Sequence, residues 1–108
     1  MADLAIVNEL SSAQLTISFL DERGNAMTPV TVDYRIDCMT TERAILPWTS
    51  AGAPCSTMTI TITSAQNAII NEANGFETKM VTVRANYGET TEFTSQYAYQ
   101  VENLPGLP

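Results

Sequence analysis

Apolar and polar residues alternate along most of this chain, and the alternation recurs in short blocks. Leu15, Ile17 and Phe19 alternate with Thr16 and Ser18. Val30, Val32, Tyr34 and Ile36 alternate with Thr31, Asp33, Arg35 and Asp37. Met58, Ile60 and Ile62 are separated by threonines, and Val81, Val83 and Ala85 by Thr82 and Arg84. Tyr97, Tyr99 and Val101 alternate with Ala98 and Gln100. A period of two sends one set of side chains to a core and the other outward, which predicts β-strands.

Turn residues separate the blocks. Asp21-Glu22-Arg23-Gly24-Asn25, Ser50 through Pro54, Asn74-Gly75 and Asn86-Tyr87-Gly88-Glu89 supply the local hydrogen bonds and positive φ that turns require. Ala44 to Trp48 predicts a short edge strand, because Pro47 cannot donate to a ladder. Ala65 to Ala73 fits a short helical turn or a crossing loop, and Ala2 to Leu10 an opening strand or an arm. The tail Leu104-Pro105-Gly106-Leu107-Pro108 cannot continue a helix or a central strand. Short strands at this spacing predict an all-β sandwich or barrel. The division expected is an arm or first strand over 1–13, a sandwich over 14–102 and an extended tail over 103–108.

Composition agrees with this reading. The 108 residues make one domain, 44% hydrophobic and 16% charged, with threonine and serine supplying much of the polar surface. The net charge is −7, and the five basic residues Arg23, Arg35, Arg43, Lys79 and Arg84 are scattered. A nucleic-acid partner needs a basic face, so none is expected. The acidic surface serves solubility at high local density. No signal peptide, glycosylation sequon or long apolar run is visible, so neither export nor a membrane partner is expected, and Met1-Ala2 reads as a natural start. Cys38 and Cys55 lack a zinc-like spacing, and in a cytosolic protein they are expected as free thiols.

The strand order resembles an immunoglobulin-like or fibronectin type III-like domain. Leu15–Phe19 looks like the second strand of that fold, Tyr34-Arg35-Ile36 like the third, and Val81 to Gly88 like the penultimate strand and its turn. The resemblance implies a two-sheet antiparallel sandwich of about seven strands. The antibody cysteine–tryptophan–cysteine spacing is missing, although Trp48 lies between Cys38 and Cys55, and Phe19 stands where fibronectin type III domains carry an early tryptophan. Small, acidic, signal-free domains of this kind also resemble auxiliary proteins of tailed bacteriophages, namely capsid decoration proteins and neck or tail components.

Candidate chemistry is sparse. The chain has no histidine, so the commonest general base is missing. Only Arg43 could activate a cysteine, and a buried or semi-buried thiol is the expected state. Asp33 and Asp37 flank Arg35, which reads as an ion pair on an outward strand face and not a cation site. Glu72, Glu77, Glu89 and Glu92 read as dispersed solubility charges, and the glycines as turn residues. No catalytic residue, cofactor or metal is expected.

Aromatic residues and the tail are the better functional candidates. Tyr97 and Tyr99 read as core. Tyr87, in a turn, can anchor an interface or fold over the sandwich edge. Trp48 reads as a core plug ahead of a contact residue. Leu104 and Leu107 cannot be buried within the tail, and either dock on a neighbour or fray. The expectation is a non-enzymatic virion structural protein: a capsid decoration protein, symmetric and oligomeric, assembled with other virion proteins in a host cytoplasm. Its interface candidates are Trp48, Tyr87, Leu104 and Leu107. A neck or tail component is the first alternative. An adhesion or carbohydrate-binding module of a larger surface protein is the second.

Overall fold

The computed structural model describes residues 5–21, 23–88 and 92–104. Among the described residues there are seven strands, five of them from the alternating blocks: β1 (Ala5–Asn8), β2 (Ala13–Ser18), β3 (Thr31–Cys38), β4 (Arg43–Ser50), β5 (Thr57–Ile62), β6 (Phe76–Asn86) and β7 (Glu92–Glu102). A single 3-10 turn, Ala65–Asn67, follows β5. It begins with a reciprocal pair: the Thr63 N–H donates to Gln66 Oε1 at 2.9 Å, and the Gln66 N–H to Thr63 Oγ1 at 3.3 Å. The segment 65–73 is therefore a helical turn followed by a loop.

The strands build two sheets, β1-β7-β6-β3-β4 and β2-β5. This is the two-sheet sandwich that the resemblance implies, and one of the two architectures, sandwich or barrel, that the strand spacing predicts. One pair departs from an all-antiparallel arrangement, because β1 runs parallel to β7 from Ala5 opposite Tyr99 to Asn8 opposite Glu102. The connectivity allows it: β1 and β7 are far apart in sequence, so no hairpin forces them antiparallel.

The core lies between the sheets. Ile17, Met58, Ile60 and Ile62 from the two-stranded sheet meet Val32, Ile36, Val81, Val83, Ala85, Tyr99 and Val101 from the five-stranded one. Burial of each such aliphatic side chain contributes about 1.5–3 kcal/mol before entropy is counted. On β5 the alternation is strict, with threonines outside and Met58, Ile60 and Ile62 inside. Val30 breaks the expected pattern. It precedes β3 and is 63% exposed, although its N–H already donates to the Asn86 carbonyl of β6 at 2.6 Å.

Strand β4 has only β3 as a neighbour, so Pro47 does lie on an edge. The pairing slips twice there. Tyr34 faces Thr49 and Ile36 faces Leu46, so Pro47 and Trp48 together oppose Arg35. A second slip leaves Ile45 between Leu46 and Ala44, which face Ile36 and Asp37. Such bulges reset the inward–outward phase. The consecutive residues Ile45 and Leu46 consequently both pack on the core, and Trp48 swings to the outer face.

Candidate functional site

The outward face of the five-stranded sheet carries the densest group of interaction-prone side chains. On β3 the outward residues are Asp33, Arg35 and Asp37, each next to an inward one. Their partners on β6 are Arg84, Thr82 and Met80. Arg35 binds Asp37 through both ends of its fork, Nη2 to Oδ1 at 2.7 Å and Nε to Oδ2 at 2.9 Å. These bonds, with the Asp37 charge, hold the guanidinium in its charged form even more firmly than usual. Arg84 reaches Asp33 at 3.9 Å.

Trp48 completes this group from β4. The Arg84 guanidinium lies 4.3 Å from the centre of its ring and that of Arg35 5.9 Å, both within range of a cation–π attraction. Trp48 is 39% exposed, so it is not the core plug that its residue type suggested. The bulge at Pro47 is the reason. Thr82, at the middle of the face, is only 9% exposed, with Arg35 and Gln96 as its cross-strand partners. The face is thus a filled polar shelf with an aromatic–arginine stack at one side.

Among the other candidates, Tyr87 folds over the end of the sandwich. Its ring meets the buried Phe19 edge to face, with centroids 6.5 Å apart and planes at 74°. Partial burial pushes its hydroxyl pKa upward. Leu104 is half-buried at the opposite end of β7, where its N–H donates to Glu9 Oε1 at 2.7 Å. Strands β6 and β7 are each eleven residues long. The ends that carry Tyr87 and Leu104 are therefore roughly 35 Å apart. Leu107 and Glu89 lie outside the described residues. Trp48, Tyr87 and Leu104 do not form one site.

A second group was missed because it is buried. Glu77 is not the solubility charge expected of it: its side chain and that of Lys79 are both fully enclosed. Glu77 accepts hydrogen bonds from the Ile70 N–H at 2.7 Å, the Asn71 N–H at 2.9 Å and Asn74 Nδ2 at 3.1 Å. Lys79 Nζ donates to the Ala68 carbonyl at 2.7 Å. Burial alone would raise the Glu77 pKa, but those three donors and the Lys79 charge outweigh it and leave the carboxyl below its ordinary value. Cys38 lies beside them, its Sγ 3.9 Å from Glu77 Oε1, while Cys55 is exposed. A legible signal existed: counted back in twos from Val83 and Val81, the inward positions of β6 are Lys79 and Glu77.

Compared with protein-family models, curated proteins and solved structures, the chain matches none. Its chemistry is accordingly read from these groups alone. The buried charges are spent on the 68–74 segment, and the Asp33 and Asp37 carboxylates on arginines. Among the described residues no three His, Cys, Asp or Glu side chains converge as a metal site. No helix of the described chain is long and apolar enough to cross a membrane.

Proposed function

We propose that this chain is a non-enzymatic structural protein of a virion, decorating a capsid by burying surface against neighbouring subunits. One observation carries the reading. Trp48, Arg35 and Arg84, residue types that dominate binding energy at protein interfaces, meet on an open face held by a rigid sheet. The reactive groups support it, since each charged member of the two clusters has a structural partner. A sandwich that offers one broad face stabilises an assembly by many modest contacts repeated over many copies.

The test is to purify particles from a host carrying the gene and count this chain by quantitative mass spectrometry. Hundreds of copies per particle support decoration. Single-digit copies move the protein to a neck or tail, and its absence from particles overturns the reading.

A further inference from the structure

We propose that the outer face of the five-stranded sheet is the contact between two copies of this chain, packed face to face about a two-fold axis. This deepens the reading above and rests on it for the face involved. Three observations lead to a second copy as the occupant.

Charge comes first. The chain has 12 acidic and 5 basic residues. On the outer face Asp33 and Asp37 are balanced by Arg35 and Arg84, and in the interior Glu77 is balanced by Lys79. Nine acidic residues remain against Arg23 and Arg43, so the entire net charge of −7 lies outside these groups. Two copies repel through the rest of their surface and can approach through this face. Glu92 and Glu102 also lie on the outward phase, at the two ends of β7, so the face carries two of these negative charges at its ends and none between them on β7.

Pattern comes second. The outward charges on β3 alternate in sign: Asp33, Arg35, Asp37. A two-fold partner displaced by one side-chain pair sets Arg35 against an aspartate of the other copy. An interface made from one patch used twice requires such self-complementarity. Apolar side chains continue the face away from Trp48. Met80 is half-buried, Ile6 is 62% exposed and Phe76 is 52% exposed, all on the outward phase of their strands.

Area comes third. The five strands hold 4, 11, 11, 8 and 8 residues; at about 3.3 Å per residue and about 4.8 Å between strands they present roughly 650 Å². That is close to the ~800 Å² per partner of a standard specific interface, and well above what a lone surface tryptophan needs.

The experiment is sedimentation equilibrium of the full chain from about 10 μM to 1 mM, with amide hydrogen exchange at both ends of that range. The expected result is a monomer–dimer equilibrium, with added protection confined to β1, β3, β4, β6 and β7 at high concentration. Trp48→Ala and Thr82→Arg each weaken the dimer at least about tenfold. Both substitutions face outward, and unchanged circular dichroism confirms folded protein. A wild-type chain that stays monomeric at 1 mM overturns the inference. So does a dimer that neither substitution weakens, because its contact lies elsewhere. Particle copy number is counted separately, so a monomer found at high copy on particles sinks the dimer alone.

Discussion

Lys79 Nζ lies 3.6 Å from Glu77 Oε1, and neither side chain has any exposure to solvent. The pair fastens the segment after β5 to the start of β6, since Lys79 holds the Ala68 carbonyl and Glu77 the Ile70 and Asn71 amides. A buried ion pair is not in itself strong stabilisation, because desolvation offsets most of the attraction. Removing one partner is another matter. Glu77→Gln replaces an acceptor oxygen with an amide that faces donors, and it strips Lys79 of its counter-charge. We expect a loss of about 3–5 kcal/mol in urea unfolding. Glu77→Gln combined with Lys79→Met should lose less than Glu77→Gln alone. A double variant as unstable as the sum of the two singles would count against a coupled pair.

The same carboxylate sets a pH dependence. Its folded pKa lies below the ordinary carboxylate value, so the unfolded chain takes up the proton first on acidification. Its contribution is therefore complete above about pH 4.3, the ordinary glutamate value. It is lost as pH falls through the lower, folded pKa. Urea midpoints measured between pH 7 and pH 2 for wild type and Glu77→Gln should converge toward the acid end. A gap of constant size across that range would show that Glu77 acts by shape alone.

The strands were readable because alternation is local. On β5 every second residue is apolar, and each of those is buried. What alternation could not show were partners distant in sequence. Glu77 and Lys79 occupy inward positions of β6, but their burial depends on the loop from Ala68 to Asn74 arriving over them. Trp48 failed for a different reason. A bulge shifts the phase of an edge strand, and Pro47 advertises the edge without saying where the slip occurs. Arg84 over Trp48 joins β6 to β4, two strands with β3 between them, so no sequence spacing encodes it.

Asn67 provides a third test. It is fully buried and joins three parts of the chain. Its Nδ2 donates to the Ser11 carbonyl at 2.8 Å, its Oδ1 accepts from the Tyr99 hydroxyl at 2.7 Å, and its own carbonyl accepts from the Leu10 N–H at 3.0 Å. Asn67→Ala leaves the buried Tyr99 hydroxyl without its acceptor and removes the bond to the Ser11 carbonyl, which costs about 1–3 kcal/mol in urea unfolding. Tyr99→Phe removes only the hydroxyl and should cost less. Adding Tyr99→Phe to Asn67→Ala should cost little more than Asn67→Ala, because the hydroxyl has already lost its acceptor. Full additivity would mean that the bond contributes nothing.

Glu42 ends the turn between β3 and β4 with φ at +58°. A side chain with a Cβ is strained there by about 1–2 kcal/mol, a strain that glycine does not carry. Glu42 is exposed and makes no side-chain hydrogen bond or ion pair among the described residues. Replacing it therefore removes strain without removing a contact. Glycine also adds freedom to the unfolded chain, which returns about 0.4–1 kcal/mol. The net expectation for Glu42→Gly is a gain of about 0.5–1 kcal/mol, measured as a higher urea midpoint at unchanged slope. Glu42→Ala separates the causes. It removes the negative charge but keeps the Cβ, so stability should stay within about 0.5 kcal/mol of wild type. If alanine stabilises as much as glycine does, the gain comes from lowering an acidic net charge and not from the backbone.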